Sequence, residues 1–382
     1  MASTASNEDG IAVAGAGIAG LTAAICLAQQ GFAVRVFEKA PEFREIGAGI
    51  QLSPNAIHVL RRIGLDVPLA DRAIETEAID IRDAGTGRLL TSIPLQDQCA
   101  RRYGAPYLVV HRADLMDVLL TAAGREPKII IQTGAEVSNV VSRPDGVSFS
   151  GDGDQMNAAL FLAADGVHSS IRLAVTGQAA EDLKQTAWRA TIADPGYDDI
   201  LPATRTGLWL GDGVHLVHYP LRAGRELNLV LIGHATVDSP KILLKQYTET
   251  IRGRLSGVEW LAWPLMQVDA AGSWVQGRIA FLGDAAHAML PTAAQGGAQA
   301  IEDAFVLARC LKNEPGNPVA ALSNWQQRRK ARVQRVARQA QRNLQIYGLA
   351  GLAASARNLA IRAIPGKQHL SRFDWLYGWQ PD

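Results

Sequence analysis

The sequence predicts an α/β protein in which a mostly parallel sheet is interleaved with a second, antiparallel sheet, with a long helix towards the carboxyl end. Three observations carry this prediction. An apolar strand at residues 11–14 leads through a glycine-rich turn and an apolar helix to a second strand at residues 33–37, which is a strand-helix-strand unit. Residues 185–267 alternate apolar and polar side chains between turn signals, as antiparallel strands do. Residues 319–347 are predicted to form one helix.

Composition argues against several classes of partner. The 38 Lys and Arg nearly cancel the 37 Asp and Glu, so the net charge favours neither nucleic acid nor capture by a membrane surface. No apolar run approaches the about 20 residues that span a bilayer, and the opening MASTASNEDG is unlike a targeting peptide. Cys26, Cys99 and Cys310 lack the spacing of a metal site. We therefore expect reduced thiols in a cytoplasmic protein that needs no metal.

The glycine-rich turn GAGIAG predicts a Rossmann-like dinucleotide site. Gly15, Gly17 and Gly20 lie between the first strand and the start of its helix. In that context the three glycines permit a tight turn, close approach to a pyrophosphate, and close packing of helix on strand. The second strand ends at Glu38, whose carboxylate can accept hydrogen bonds from a ribose diol. This unit alone does not distinguish FAD from NAD.

Two later segments favour FAD. ADGVHSSIR places Asp165 after a buried strand, and GRIAFLGDAAHAMLPTAAQGGAQAIEDA places Asp284 after another. A carboxylate there can hold a polyol hydroxyl. Gly296 and Gly297 then begin a helix, whose free N–H groups and dipole favour an anion. An isoalloxazine ring that becomes anionic on reduction suits such a site better than a nicotinamide does.

These motifs, together with HRADL, resemble the single-component flavin-dependent aromatic hydroxylases, the family of p-hydroxybenzoate hydroxylase. The likeness runs from Ile11 to about Gln345 and is greatest to salicylate hydroxylases, 3-hydroxybenzoate 6-hydroxylases and 6-hydroxynicotinate 3-monooxygenases. It implies bound FAD, NADH or NADPH as co-substrate, and a flavin C4a-hydroperoxide that passes one oxygen atom of O2 to an aromatic ring.

The resemblance also implies roles for single residues. Arg112 of HRADL would contact FAD, and Asp284 would hold its ribityl or ribose region. Asp165 lies in a segment that the family associates with both FAD and the pyridine nucleotide, and Arg44 is a candidate phosphate or flavin contact. In HRADL itself we expect a strand end followed by a helix that is capped at Asp114 or nearby.

The pattern of antiparallel strands seen in residues 185–267 occurs a second time, in AIDIRDAGTGRLLTSIPL, which is predicted to form a hairpin. We therefore predict a substrate domain at residues 76–99 and 181–270, inserted twice into an FAD-binding domain at residues 10–75, 100–180 and 271–318. Residues 319–382 form a C-terminal helical region, and the arginine run within it is predicted to be a solvated helix face rather than a nucleic-acid or lipid contact.

The strand GVHLVHYP supplies the candidate catalytic residues. A period of two places His215 and Tyr219 on the same face. A deprotonated phenol reacts faster with electrophilic oxygen, so His215 is the candidate base and Tyr219 an orienting or relaying group. The alternative is that His215 is only a polar residue of a half-exposed strand. Gln51 and Pro291 are predicted to line the substrate pocket, although Gln51 stands where hydroxynicotinate enzymes carry a histidine.

Two further residues are given structural roles. Arg189 is expected to pack where the chain crosses between domains, and His287, which closely follows Asp284, is expected to have a structural role.

The function predicted is an FAD-dependent monooxygenase of aromatic hydrocarbon catabolism that hydroxylates a phenolic or hydroxylated aromatic carboxylate of the salicylate or 3-hydroxybenzoate type. Three alternatives stay open: a hydroxypyridine hydroxylase, an FAD oxidase or dehydrogenase, and a non-enzymatic dinucleotide-binding protein. Expected partners are the small aromatic substrate, O2 and NAD(P)H, and the chain is expected to be a monomer or a homodimer.

Overall fold

The computed structural model of the protein describes residues 10–43, 49–234, 236–237 and 239–382. Its strands are, in chain order, β1 Ile11–Ala14, β2 Val34–Glu38, β3 Gly49–Leu52, β4 Ala73–Glu75, β5 Ala78–Asp83, β6 Leu89–Pro94, β7 Leu108–His111, β8 Ile129–Thr133, β9 Val137–Ser142, β10 Val147–Gly151, β11 Asp154–Ala158, β12 Leu160–Ala163, β13 Glu181–Ala193, β14 Thr206–Leu210, β15 His215–Leu221, β16 Glu226–His234, β17 Leu261–Gln267, β18 Val275–Gln276 and β19 Ile279–Phe281. Its helices are α1 Ile18–Gln29, α2 Pro54–Arg62, α3 Asp66–Ala70, α4 Gln96–Tyr103, α5 Arg112–Arg125, α6 Ser170–Thr176, α7 Pro240–Leu244, α8 Glu249–Arg254, α9 Asp284–His287, α10 Gly296–Asn313, α11 Pro318–Tyr347, α12 Gly351–Ala363, α13 Gly366–Ser371 and α14 Asp374–Tyr377.

The first sheet has the strand order β18-β19-β12-β1-β2-β8 and is parallel except for the β18–β19 pair. Its central strands β1 and β12 are buried along their whole length, because helices cover both faces of a parallel sheet. Helix α1 packs against both α5 and α10, which explains why it is apolar on nearly every side.

The second sheet has the order β17-β13-β16-β15-β14-β5-β6, so both predicted inserted pieces contribute to one sheet. Its pairs are antiparallel except for β14 and β5, which run parallel. That exception lies where the two chain pieces meet, and strands that no hairpin joins are free to run in the same direction. The exact domain boundaries stay a prediction.

The two faces of this second sheet have different partners. One face carries Trp188, Trp209 and Leu216, which form an apolar cluster with residues of α7 and α8. The other face carries His215 and Tyr219, as the strand period predicts. This second face is directed towards the parallel-sheet half of the chain, since Tyr219 packs with Val109 of β7.

A buried ion cluster joins α10 to α11. Arg329 Nε lies 2.6 Å from Asp303 Oδ1, and its Nη1 lies 2.5 Å from Glu302 Oε2. Arg332 Nε also contacts Glu302 Oε2, at 2.7 Å, and His287 Nε2 lies 2.5 Å from Asp303 Oδ2. The prediction of a solvated arginine face is therefore wrong for Arg329 and Arg332, because these two side chains neutralise carboxylates inside the protein.

Electrostatics maintain the charges of this cluster. Burial alone would raise the pKa of Glu302, but the positive charges of Arg329 and Arg332 hold that pKa below its usual value. The pKa of Asp303 is likewise lowered, against the effect of burial, by His287 and Arg329. Helix α11 is thereby fixed to the part of the chain that follows Asp284.

The C-terminal helices pack on the rest of the chain. Leu376 and Tyr377 are buried beside Tyr103 and Tyr107, so the aromatic tail FDWLYGW is largely occupied within its own chain. Among the described helices, none combines the length and the apolar composition that crossing a membrane requires.

Candidate active site

The glycine loop between β1 and α1 forms one wall of a cavity. Gly15 has a φ of 95°, and a Cβ there would lie 2.4 Å from the carbonyl oxygen of Ala164. A Cβ on Gly20 would lie 1.9 Å from the Gly15 carbonyl oxygen, so this glycine allows α1 to approach the turn. A Cβ on Gly17 would meet nothing within 4 Å. Gly17 is thus the position at which the backbone faces open space.

That space is a cavity of about 730 Å³ that collects several predicted cofactor residues. Those lining it include Gly15, Gly17, Glu38, Arg112 and Asp165. The Glu38 carboxylate is oriented by two backbone amides, since Oε2 accepts from Ala16 N at 2.8 Å and Oε1 from Ala40 N at 3.0 Å. A fixed carboxylate beside a glycine turn is what a ribose diol requires.

Asp165 and the Asp284 turn are linked by an arginine between them. Arg172 is buried and donates from Nη1 to the Ala285 carbonyl at 2.8 Å and from Nη2 to the Val167 carbonyl at 2.8 Å. The two segments that follow β12 and β19 are therefore held together. Asp165 Oδ1 is buried and has no hydrogen-bond partner among the described residues.

Asp284 lies at a second end of the site. Gly283 has a φ of 58°, and a Cβ there would lie 2.9 Å from the Ala19 Cβ of α1. The Asp284 side chain is exposed, and its Oδ1 lies 3.8 Å from where a Cβ on Gly296 would stand. A carboxylate and the amino end of α10 therefore face the same region.

The start of α10 is also the place where β3 approaches. A Cβ on Gly297 would lie 2.7 Å from Ile50 Cδ1, so the Ile50 side chain packs directly against this glycine. The neighbouring Gln295 side chain is buried, donates to Ser53 Oγ at 2.8 Å and accepts from Asn55 Nδ2 at 3.2 Å. These bonds fix the amino end of α10 against the segment that carries Gln51.

Helix α5 positions Arg112. Its amino-terminal cap is His111, whose Nδ1 accepts from Ala113 N at 3.1 Å. Asp114 itself is not the cap, because the helix begins two residues earlier and Asp114 instead pairs with Arg222. Arg112 is thus the first residue of the helix and lines the cavity. Arg44, the other candidate phosphate contact, lies outside the described residues.

Arg189 is a site residue that the sequence reasoning assigned only to packing. It pairs with Val230 across β13 and β16, on the same face of the second sheet as Tyr219, and its guanidinium lies over the Trp263 ring. Burial lowers the pKa of Arg189. Tyr219, Arg112 and Asp284 lie close enough for their charges to influence that pKa. Arg189 therefore lies on the face of the second sheet that is directed towards the cofactor residues.

Two observations could have identified Arg189 from the sequence. It is an arginine inside an apolar strand, AWRAT, and its spacing places it opposite Trp188, which packs in the apolar cluster. An unpaired cation in a strand that must be buried predicts a ligand or a counter-ion. Its Nε is buried and lacks a hydrogen-bond partner within the described chain.

Tyr219 and His215 occupy opposite ends of β15. Tyr219 is buried, its pKa is raised by that burial, and its ring fills the space that a Cβ on Gly49 would take. His215 is also buried, and burial lowers its pKa to about 3. Its ring lies 5.2 Å from that of Tyr347. The two residues are four positions apart along the strand, which separates their Cα atoms by about 13 Å.

Gln51 and Pro291 lie near this face. Tyr107 donates its hydroxyl to Gln51 Oε1 at 2.8 Å, which orients the amide of Gln51. Pro291 begins a 3-10 turn, Pro291–Ala293, whose Thr292 hydroxyl donates to the Ala340 carbonyl at 2.5 Å. Thr292 therefore connects this turn to α11 through a main-chain contact.

The residues present fit an FAD. The open space at Gly17 lets a pyrophosphate approach the backbone. Asp165 Oδ1 can accept a hydrogen bond from a hydroxyl group, and Arg189 Nε can donate one, since neither has a partner within the described chain. Within the described residues no group of three or more His, Cys, Asp or Glu is arranged to hold a metal ion.

The open space at Gly17 yields a direct prediction. Its backbone is extended, with φ −77° and ψ −172°, so Gly17→Val fits the backbone while filling the cavity. We expect an unchanged melting temperature and an FAD affinity at least about a hundredfold lower, measured by flavin fluorescence quenching. Gly124→Ala, at an exposed position of α5 that is equally free of neighbours, is the control and should bind FAD normally. Normal FAD affinity in Gly17→Val would contradict the placement.

Buried histidines predict an acid sensitivity. His218, on the opposite face from His215, is also buried, and burial lowers its pKa to about 3. Below pH about 6.5 the unfolded chain binds protons that the folded chain excludes, so stability falls as the pH falls towards about 3. In His218→Leu the slope of unfolding free energy against pH should shrink by up to about 1.4 kcal/mol per pH unit, measured by urea denaturation. His168→Leu, which removes an exposed histidine, should leave the slope unchanged; an equal effect of both changes would contradict the assignment.

Known proteins share this sequence and fold. Residues 9–209 and 244–340 match the family described as FAD binding domain. A 3-hydroxybenzoate 6-hydroxylase of Aquipseudomonas alcaligenes is 35% identical over 97% of this chain and 98% of its own length. A 6-hydroxynicotinate 3-monooxygenase of Pseudomonas fluorescens is 35% identical over 79% of this chain and 82% of its own.

A solved salicylate hydroxylase substrate complex has a TM-score of 0.80 and 22% identity over 98% of this chain and 96% of that chain, which shows a shared fold. The predicted family resemblance and the predicted fold class are thereby confirmed. The chain belongs to the FAD-binding-domain family of flavin-dependent aromatic hydroxylases.

Proposed function

We propose that this protein hydroxylates a phenolic aromatic carboxylate, of the salicylate or 3-hydroxybenzoate type, with NADH or NADPH and O2. The observation that carries the proposal is the arrangement of Arg189, Tyr219 and His215 on one face of the second sheet, where Tyr219 and His215 are buried and Arg189 is half-buried. Arg189 also lies within electrostatic reach of Arg112 and Asp284. A cation, a neutral phenol and a neutral imidazole are the groups that bind and deprotonate a hydroxylated aromatic acid. A relative named as a 3-hydroxybenzoate 6-hydroxylase supports the same substrate class.

FAD, when bound, supplies the electron transfer and the activation of oxygen, while the chain binds and orients the substrate. Gly15, Gly17, Glu38, Arg112 and Asp165 would hold the dinucleotide portion, as their shared cavity supports. Asp284, Gly296 and Gly297 would hold the region nearer the ring.

Arg189 would bind the substrate carboxylate or another anionic group in the site. Its side chain is half-buried and its Nε is buried without a hydrogen-bond partner in the described chain, so an anion would recover the hydrogen bonding that burial has removed. A tyrosine is protonated at neutral pH, and burial raises the pKa of Tyr219 further, so its hydroxyl can donate to a substrate oxygen.

His215 would accept the phenolic proton. Burial lowers its pKa to about 3, so the imidazole is neutral at pH 7 and can act as an acceptor. A bound anion would raise that pKa and strengthen the base, since a nearby negative charge favours the protonated ring. The about 13 Å between His215 and Tyr219 along the strand leaves room for one substituted aromatic ring between their side chains.

A hydroxypyridine substrate is the second candidate. Tyr107 fixes the Gln51 amide, and an amide can pair with a ring nitrogen and an adjacent oxygen. A relative named as a 6-hydroxynicotinate 3-monooxygenase supports this candidate.

The test follows NADH and NADPH oxidation under ¹⁸O₂ with a panel of hydroxybenzoates and hydroxypyridines. One labelled oxygen atom should enter a hydroxybenzoate product. In His215→Ala, flavin reduction should persist while product falls by about a hundredfold and hydrogen peroxide rises, because the base is lost but the cofactor site is intact. His218→Leu changes a buried histidine on the opposite face of the same strand and should stay coupled.

Three outcomes would contradict the proposal. Oxidation that yields only peroxide with every ring would indicate an oxidase. Labelled product from hydroxypyridines alone would favour the second candidate. Normal coupling in His215→Ala would show that His215 is not the base.

A further inference from the structure

The net charge of +1 conceals an uneven distribution. Residues 315–373 contain eleven Lys and Arg and neither Asp nor Glu, so the excess positive charge lies in the C-terminal helices. Arg329 and Arg332 are neutralised in the buried cluster, and Arg328 pairs with Asp382. Six of the remaining cations are exposed and have no acidic partner within the described chain: Arg335, Arg338, Arg342, Arg362, Lys367 and Arg372.

Helix α12 has a protein-facing side that its contacts identify. Ala354 and Arg357 are its buried residues. Arg357 donates to the carbonyls of Ile346, Tyr347 and Leu349 at the end of α11. The next residue, Asn358, donates to Asp83 at 2.7 Å, so this side of α12 is fixed.

The outward side of α12 is apolar. Leu352 is 92% exposed and Leu359 is 67% exposed. Ala356, Ala363 and these two leucines recur at the helical spacing of one stripe, and no charged residue interrupts it. A helix that faces water ordinarily carries polar residues on its outer side, so this stripe indicates a partner.

The charges select the kind of partner. Asp83 and Asp212 lie beside α12. The charged side chains of residues 315–373 are nevertheless all positive, so a second copy of this chain placed stripe to stripe would bring like charges together, which costs electrostatic energy. An anionic lipid surface instead receives the two leucines at its acyl boundary and pairs with Arg362 of α12 and Lys367 of α13, as interfacial amphipathic helices do. We propose that α12 docks the protein on an anionic membrane surface.

The position of α12 gives the docking a consequence for the candidate active site. Arg357 braces the end of α11, where the Tyr347 ring lies 5.2 Å from that of His215. Arg357 is also close enough for its charge to influence the pKa of His215. A lipid surface on the outer side of α12 would therefore lie one helix away from the substrate face.

The test is co-sedimentation of the FAD-loaded full chain with unilamellar vesicles of phosphatidylcholine alone and of phosphatidylcholine with about one quarter phosphatidylglycerol. We expect binding to the anionic vesicles, weakened when salt is raised from about 50 mM to about 500 mM, because salt screens the charges. Leu352→Ser with Leu359→Ser should bind at least about tenfold more weakly. Val67→Ser with Leu173→Ser, which removes exposed apolar residues elsewhere, should bind like the wild type.

Two double variants that remove positive charge complete the test. Arg362→Gln with Lys367→Gln should weaken binding by about tenfold, while Lys245→Gln with Lys312→Gln, exposed lysines outside the region, should not. Circular dichroism and flavin content show that each variant is folded. Absence of wild-type binding, or equal binding by the double leucine variant, overturns the proposal. A wild-type dimer in light scattering that becomes monomeric in the leucine variant, without vesicle binding, also overturns it and assigns the stripe to a second copy.

Discussion

The candidate active site depends on the buried ion cluster in which Arg329 and Arg332 neutralise Glu302 and Asp303. The cluster is enclosed between α10 and α11, and removing one partner would leave an uncompensated charge at a cost of about 3–5 kcal/mol. A hydrophobic substitute could pack there, but it could not fix direction as a fork of hydrogen bonds does. The cluster therefore fixes the orientation of α10, whose amino end faces Asp284.

The cluster reaches both sides of the site through hydrogen bonds. Asp303 holds His287, which closes the short helix that Asp284 begins. Glu302 accepts from Asn55, and Gln299 donates to Gln295, so the polar chain continues to the segment after β3. One set of contacts thus positions the Asp284 turn, the start of α10 and the strand that carries Gln51.

The second sheet contributes to the candidate active site because one of its faces is apolar and the other carries polar side chains. Its apolar face is closed by α7 and α8, which makes the sheet rigid without help from the site. The other face carries Arg189, Tyr219 and His215. Arg189 Nε and His215 Nε2 are buried without a hydrogen-bond partner in the described chain, which costs stability. Polar groups held in this way commonly mark functional sites, since a ligand restores what folding leaves unsatisfied.

Local rules made much of the cofactor site predictable. Gly15, Gly17 and Glu38 follow from a strand, a turn and a helix that are adjacent in sequence, and the structure brings them to one cavity. The face shared by His215 and Tyr219 follows from the period of a strand.

The partners of Arg189 and Arg329 were not predictable in the same way. Tyr219 and Asp284 are far from Arg189 in sequence, and Arg329 belongs to a run of arginines that resembles a solvated face until α10 is packed against it. The parallel β14–β5 pair also depends on how two separate chain pieces meet. Each of these features depends on packing between residues that are distant in sequence, which a local sequence pattern does not predict.

The most direct measurement of this account is the FAD affinity of Asp303→Asn, by equilibrium flavin titration at a temperature where circular dichroism shows the variant to be folded. Asp303 does not line the cofactor cavity. If Asp303 only stabilised the fold, its replacement would leave the FAD affinity unchanged. If the cluster positions the Asp284 turn, the dissociation constant should rise at least about tenfold, equivalent to about 1.4 kcal/mol, while Asp269→Asn at an exposed site has no effect. A folded Asp303→Asn protein that binds FAD as tightly as the wild type would contradict the account.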